Sequence, residues 1–302
     1  MDKIYDLIIV GAGPAGLGAS IYAQRAMLDF LFLEKWLPGG EIASTYEVEN
    51  YPGINHVSGM ELSNRMIEHA NDLGVNIKIE GVEAIDVSGE IKKVITRKNV
   101  YLTKTIIIAT GASARRLGVL GEDEFYGRGV SYCATCDGTL YKDKIVAVVG
   151  GGDVAVEDAI YLSRMAKKVY LIHRRDQLRA VKTLQEKMFA IEKIEVIWNT
   201  TLSEIKGSDL VEEIKIHNKE TASDSTLKVN GVFMAVGMNP NTDFLDGQVE
   251  MDQGKWIVTD ENCETSIKGV FAAGDVRKKA LRQVITGVAD GAVAVFAVEK
   301  YI

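Results

Sequence analysis

Three cysteines in 302 residues are too few to staple a chain of this size, which excludes a disulfide scaffold and points to a reducing compartment. An excess of basic residues is also missing. Lys and Arg number 35 against 42 Asp and Glu, a formal charge of −7, so a surface that tracks nucleic-acid phosphates by bulk charge is not expected; a local basic cluster is still compatible with these totals. No apolar run approaches the roughly 18 residues of a membrane span. Leu7 to Val10 is apolar and small residues follow it, but Asp2, Asp6 and the glycines and proline of Gly11 to Gly16 do not suit a signal peptide. These absences lead to the expectation of a cytoplasmic chain that binds neither nucleic acid nor membrane. What is present is ordinary globular composition, 47% hydrophobic and 25% charged, with length for two domains at about 150 residues each.

One supersecondary pattern occurs twice. Leu7-Ile8-Ile9-Val10 reads as a buried strand, Gly11-Ala12-Gly13-Pro14-Ala15-Gly16 as a glycine turn, and the residues to about Arg25 as a helix; a second apolar run, Phe30 to Leu33, ends at Glu34, 23 residues after Gly11. Ile145 to Val149, Gly150-Gly151-Gly152-Asp153-Val154-Ala155, a helix to about Met165 and the run Val169 to Ile172 repeat the design, and His173 again lies 23 residues after its first glycine. Each copy is followed by β-rich sequence and closes on Ala109-Thr110-Gly111 or Ala235-Val236-Gly237. A lone glycine turn is a weak signal. Two at equal spacing, each between strand and helix, predict two dinucleotide sites, because glycines let the backbone approach a pyrophosphate that the helix N-terminus stabilises.

The residue closing each second strand differs in charge. Glu34 suits the two ribose hydroxyls of FAD or NAD and repels a 2′-phosphate. His173-Arg174-Arg175, with Arg179 a helical turn on, offers guanidinium forks that match a phosphate, so the second site is expected to take NADPH; the alternative is a solvated basic loop. A third segment, the strand Gly269 to Ala273 ending in Gly274-Asp275, precedes Arg282-Gln283-Val284 at the head of a small-residue helix. A carboxylate at a strand end and a helix N-terminus fit the ribityl chain and reduced ring of FAD. This implies a first domain in two pieces, with the second inserted.

Cys133-Ala134-Thr135-Cys136-Asp137 precedes the second turn. Such a pair is a redox dithiol or half a zinc site. The remaining candidates, Cys263, His56, His69, His173 and His217, are not paired at ligand spacing, so redox is favoured and no metal is expected. Asp137 is a candidate acid and base for the leaving thiolate, and Asp137-Gly138 also suits a turn. Cys263 stands alone and is assigned to packing.

Over nearly its full length the chain resembles the low-molecular-weight bacterial type of thioredoxin reductase. The resemblance rests on Gly11 to Gly16, Gly39-Gly40, Glu49-Asn50-Tyr51-Pro52-Gly53, Ala109-Thr110-Gly111-Ala112, Cys133 to Asp137, Gly150 to Ala155, His173-Arg174-Arg175, Gly274-Asp275 and Arg282-Gln283. It implies an α/β fold of two Rossmann-like, three-layer ββα nucleotide-binding domains. Residues 1–115 and 244–302 would form a discontinuous FAD domain, and 116–243 an inserted NADPH domain carrying the dithiol. It further implies a homodimer, electron flow from NADPH through FAD and the dithiol to thioredoxin, Cys136 against the flavin, Cys133 attacking the partner's disulfide and Asp137 supplying the proton. The FAD residues carried over are Gly11, Gly13, Pro14, Ala15, Gly16, Glu34, Gly40, Glu41, Asn50, Ala109, Gly111, Gly274, Asp275, Arg282, Gln283 and Val284. Those for NADPH are Gly150, Gly152, Asp153, Val154, Ala155, His173, Arg174, Arg175 and Arg179. Three positions depart from the family. Glu41 stands in place of Gln beside the flavin, Val154 in place of a small hydroxyl residue, and Thr139-Leu140 in place of two aromatics that meet thioredoxin. Two other readings compete. A flavin dithiol oxidase would typically lack the arginine pair, and a redox sensor without turnover would not reduce flavin with NADPH.

Overall fold

In the computed structural model, which describes residues 3–45 and 48–302, the chain divides into two units. The first comprises 1–45, 51–113 and 239–302, and the second 46–50 and 114–238. The chain passes between them beside two short strands that pair with each other, β7 (Ala112–Ala114) and β16 (Met238–Pro240).

In the first unit β1 (Ile4–Val10) is the centre of a parallel sheet, flanked by β2 (Phe30–Glu34) and β6 (Val100–Ile108), with β3 (Ile77–Ile79) beyond β2. On the other side β6 pairs with β17 (Val270–Ala272) and runs antiparallel to β5 (Lys92–Thr96), which pairs with β4 (Val82–Asp86). Leu7 to Val10 and Ile106 to Ile108 are buried, as apolar runs covered on both faces must be. One face carries α1 (Pro14–Arg25), α2 (Gly59–Asp72) and α6 (Val284–Tyr301). Glycine sets how closely α1 and α6 meet. A Cβ at Gly291 would lie 2.2 Å from Ala15 O, and one at Gly18 would lie 2.9 Å from Val288 O. The helices cross at backbone contact, and Gly287 at the head of α6 lies beside Ala15 at the head of α1.

In the second unit the order β11-β10-β9-β15-β8 is wholly parallel: β8 (Val130–Ser131), β9 (Ile145–Gly150), β10 (Lys168–Ile172), β11 (Ile194–Ile197) and β15 (Gly231–Ala235). One face packs Val146, Val148 and Phe233 against α4 (Asp153–Ser163) and its neighbours α3 (Ala134–Asp137) and α5 (Lys182–Phe189). The other packs Ala147, Val149 and Ile172 against a three-stranded antiparallel sheet of β12 (Thr200–Gly207), β13 (Val211–Asn218) and β14 (Ser223–Lys228). Sheet, sheet and helices make the three layers that the resemblance implies. The helix expected to reach about Met165 ends at Ser163, where Arg164 and Met165 turn back through bonds to Tyr161 O and Leu162 O.

Candidate active site

The first glycine turn is shaped by contacts that leave no room for side chains. Gly11 has φ +103°, and a Cβ there would sit 2.5 Å from Ala109 O; a Cβ at Gly16 would sit 1.8 Å from Gly11 O. Gly13 is the N-cap of α1 and Pro14 its first residue, where the missing N–H costs nothing. Gly40 (φ +68°) comes so near that a Cβ on it would meet Gly13 Cα at 2.9 Å, while a Cβ at Gly13 meets nothing nearer than 3.8 Å. Glu34 closes the turn. Its Oε2 accepts from Ala12 N at 2.7 Å and its Oε1 from Trp36 N at 2.9 Å, leaving each oxygen a lone pair for a hydroxyl.

The C-terminal segment arrives at the same turn. Gly274 (φ +78°) would place a Cβ 2.7 Å from that of Ala15. Its N–H donates at 3.0 Å to Asp290 Oδ2 on α6, and the Asp290 carboxylate also receives Arg277 Nη1 at 3.1 Å and Lys279 Nζ at 2.8 Å. This ionic knot, which the sequence reading did not find, fixes the loop bearing Asp275. Burial pushes the Asp275 carboxyl above its usual range against the pull of Lys279 and Arg282. Arg282 stacks 3.8 Å from the Trp256 ring centre, burial lowers its proton affinity, and its Nε is buried with no hydrogen-bond partner among the described residues. Such a donor can be completed by a polar ligand or by water. Gln283 and Thr286 form a reciprocal capping box that starts α6 at Val284. Ala109 and Gly111 lie at the end of β6, and exposed Glu41 lies in a 3₁₀ turn, Gly40–Ser44. Asn50 groups with the second unit.

Cys263, assigned to packing, is fully buried, and burial pushes its thiol up to about 12 even with Arg277 Nη1 2.9 Å from its sulfur. It is no thiolate nucleophile at neutral pH.

In the second unit Gly150 ends β9, Gly152 caps α4, and Asp153, Val154 and Ala155 begin it; Ala155 is buried and Val154 exposed. The basic loop folds back onto this turn. Arg179 N and Ala180 N donate to Gly151 O at 2.7 and 3.3 Å, and Asp153 Oδ1 accepts from Val181 N at 2.8 Å. His173 is buried, with Nδ1 2.8 Å from Gly150 O and Nε2 2.9 Å from Gln177 O, so whichever ring nitrogen carries the proton donates to a backbone carbonyl. It braces the loop that carries exposed Arg174, Arg175 and Arg179. The Arg179 Nη2 lies 4.0 Å from where a Cβ on Gly152 would be, which sets a guanidinium over the turn.

The same unit carries a disulfide between Cys133 and Cys136. Cys133 caps α3, a single turn in which Cys133 Sγ accepts from Cys136 N at 3.2 Å and Cys133 O accepts from Asp137 N at 3.2 Å. Asp137 ends that turn four residues past the N-cap. Ser131 Oγ lies 2.5 Å from Asp137 Oδ2, and Cys133 N donates to the same hydroxyl at 3.0 Å. Burial, helped by the charge of Asp137, raises the Tyr141 phenol well above its ordinary value. Ser131 was not marked by the sequence; its only trace was a hydroxyl in an otherwise apolar strand.

The pyridine nucleotide-disulphide oxidoreductase family matches residues 5–291. A thioredoxin reductase of Listeria monocytogenes is 46% identical over 303 residues, covering 100% of this chain and 95% of that protein. A thioredoxin reductase structure from Streptococcus pyogenes superposes with TM-score 0.95 at 47% identity, covering 100% and 99% of the two chains. One from Lactococcus lactis, described as an FR conformation, gives 0.67 at 43% identity, covering 98% of each.

Proposed function

Since the chain belongs to the pyridine nucleotide-disulphide oxidoreductases and is an oxidoreductase of the thioredoxin reductase type, we propose that it carries electrons from NADPH through FAD and the Cys133-Cys136 pair to the disulfide of thioredoxin or a thioredoxin-like protein. The family implies flavin and nicotinamide cofactors. The observation that carries the finer reading is the Cys133-Cys136 disulfide, held on one helical turn with Asp137 at its end.

In this reading FAD occupies residues 1–115 and 244–302. The glycines of the first turn admit its pyrophosphate, Glu34 takes the ribose hydroxyls, Asp275 takes a ribityl hydroxyl, and the orphaned Arg282 Nε finds an acceptor. Gly40, Glu41, Asn50, Ala109, Gly111, Gln283 and Val284 complete that set. NADPH occupies 116–243, with Gly150 to Ala155 at the pyrophosphate and Arg174, Arg175 and Arg179 on the 2′-phosphate. When bound, the flavin accepts a hydride from NADPH and supplies two electrons to the dithiol. Cys133 then attacks the partner's disulfide, Cys136 resolves the mixed disulfide, and Asp137 holds and releases the proton. The assembly in this reading is a cytoplasmic homodimer. The nicotinamide turn and the dithiol lie in one unit, and each must reach the same flavin. In this reading the chain therefore exchanges between two arrangements during turnover.

The test is a stopped-flow trace of flavin bleaching with NADPH or NADH, followed by partner trapping. Denaturation should release FAD and NADPH should bleach it. Cys136→Ser should accumulate a mixed disulfide with thioredoxin through Cys133, whereas Cys133→Ser should bleach normally and trap nothing. Released FMN, or trapping through Cys133→Ser alone, overturns the cofactor or the cysteine assignment respectively.

A further inference from the structure

Ser131 closes β8 and is 4% exposed, in a strand that joins its sheet through backbone pairing of Val130 and Ser131 with Val232 and Phe233. Val130, Val232 and Phe233 are buried apolar side chains, so nothing in the packing of that strand calls for a hydroxyl, and burying one is costly unless it is hydrogen-bonded. It is bonded on every side that matters to the dithiol. Ser131 Oγ lies 3.0 Å from Cys133 N, 2.5 Å from Asp137 Oδ2 and 3.3 Å from Cys133 O.

A hydroxyl has one hydrogen and two lone pairs. Cys133 N–H occupies one lone pair, which leaves the hydrogen to choose between Asp137 Oδ2 and Cys133 O. An ionised carboxylate is the stronger acceptor, so the hydrogen goes to Asp137 when Asp137 is charged. When Asp137 is protonated, it can donate to Ser131 and the serine hydrogen can turn to Cys133 O. Either way the serine keeps its bonds and the carboxyl keeps its place.

The geometry assigns Ser131 as the positioning residue of the proton step: it holds the Asp137 carboxyl beside the Cys133-Cys136 pair in both of its protonation states. The assignment rests on the reading above, in which Asp137 serves the dithiol. Two-electron reduction of the pair, with electrons that the flavin of the proposed function would supply, breaks the sulfur–sulfur bond and leaves two sulfur anions, and two protons complete the dithiol. Asp137 delivers one and becomes a carboxylate that takes up the Ser131 hydrogen bond; the solvent supplies the other. Return of the dithiol to disulfide, as the partner's disulfide is reduced, releases two protons: one goes back onto Asp137 and the other to the partner's thiols, whose second proton comes from solvent.

The experiment is a double-mutant cycle in the holoenzyme, comparing Ser131→Ala, Asp137→Asn and both together, with Ser131→Thr as the conservative control. Ser131→Ala should lower kcat with oxidised thioredoxin about tenfold, as expected for losing one hydrogen bond to a charged group, while thioredoxin KM and NADPH bleaching of FAD stay as in the parent. In the Asp137→Asn background the same change should cost less than about twofold. Ser131→Thr should recover the parent kcat within about twofold. An equal loss in both backgrounds, or a parallel loss of flavin bleaching, would show that Ser131 merely packs and would overturn the assignment. If Ser131→Ala does not fold, Ser131→Cys keeps the volume, weakens the bond and must show the same ordering. The cycle is also read by the rate at which dithiothreitol reduces the Cys133-Cys136 disulfide, followed by thiol alkylation. That arm needs neither NADPH nor thioredoxin, so loss of non-additivity there sinks the role of Ser131, whereas failure of NADPH bleaching or thioredoxin turnover in the parent sinks the proposed function.

Discussion

The two glycine turns share a strand, a helix and a spacing of 23 residues to the closing side chain, yet that side chain engages the turn with opposite polarity. Glu34 accepts from the turn's Ala12 N–H and from Trp36 N, and keeps lone pairs for a ligand. The His173 ring lies between the carbonyl oxygens of Gly150 and Gln177, within 2.9 Å of each, and donates to backbone rather than accepting from it. In the first unit the closing residue can therefore recognise the nucleotide itself. In the second it holds a loop, and in the proposed function recognition passes to the arginines that the loop displays. The glycines differ for the same reason. A Cβ at Gly151 would lie 2.2 Å from the His173 ring, a demand of the brace, whereas Gly11 and Gly16 are squeezed by backbone. One supersecondary design thus presents two different surfaces by changing what its last strand residue bonds.

The largest expected effect tests the exchange of arrangements. A covalent crosslink between the two units, in either arrangement, should abolish steady-state turnover while sparing one half-reaction, and full turnover after crosslinking would show that no motion is needed. Next is the contrast between the turns. Gly16→Ala drives a methyl into Gly11 O and should cost about 3 kcal/mol of stability and most of the bound FAD. Gly152→Ala meets nothing nearer than 4.0 Å and should leave the fold and FAD content intact, raising only the KM for NADPH. Equal melting temperatures for the two variants would erase the distinction. Arg174→Ala should lower kcat/KM for NADPH by about tenfold or more, at about 1.5 to 3 kcal/mol for a charge-assisted bond, with NADH use nearly unchanged. Equal losses with both donors would make the loop purely structural.

The smallest effect is the pH profile of stability, where the units oppose each other. Burial pushes Glu80 in the first unit upward, but hydrogen bonds from Thr96, Asn99, Tyr101 and Lys78 outweigh it and hold the carboxyl at about 2, against an ordinary 4.5. Its contribution is present above pH 4.5 and is lost as pH falls from there through about 2. Burial, with the charge of Glu157, raises Asp158 in the second unit to about 7 from 3.8. Its contribution is present below pH 3.8 and is lost as pH rises through about 7. Glu80→Gln should therefore lower the melting temperature at pH 7, and Asp158→Asn should raise it at pH 8, by about 2 to 4 °C for each kcal/mol. Shifts of the same sign in both variants would refute the opposition.

The sequence by itself determined the elements and their repetition. Leu7 to Val10 and Ile145 to Val149 are apolar runs too short for anything but buried strands, and a glycine turn followed by a small-residue helix has few other ways to fold. It also determined the charge at each closing residue and the dithiol, since CxxC places both sulfurs on one helical turn. Only the tertiary structure decided which atoms those charges meet. Asp290 lies in mid-helix, 16 residues beyond Gly274, and nothing local marks it as the acceptor for Gly274 N, Arg277 and Lys279. His173 and Arg174 are neighbours in a single motif, yet one is buried against backbone and the other exposed, because a side chain at a strand end faces the sheet's interior or the solvent according to the packing around it. Ser131 reaches Asp137 across the bend that the Cys133 cap makes between β8 and α3, a contact six residues apart that no periodicity predicts. Hydrophobic pattern is a property of the chain, but hydrogen-bond partnership is a property of distance in space, and distance is fixed only when the layers close.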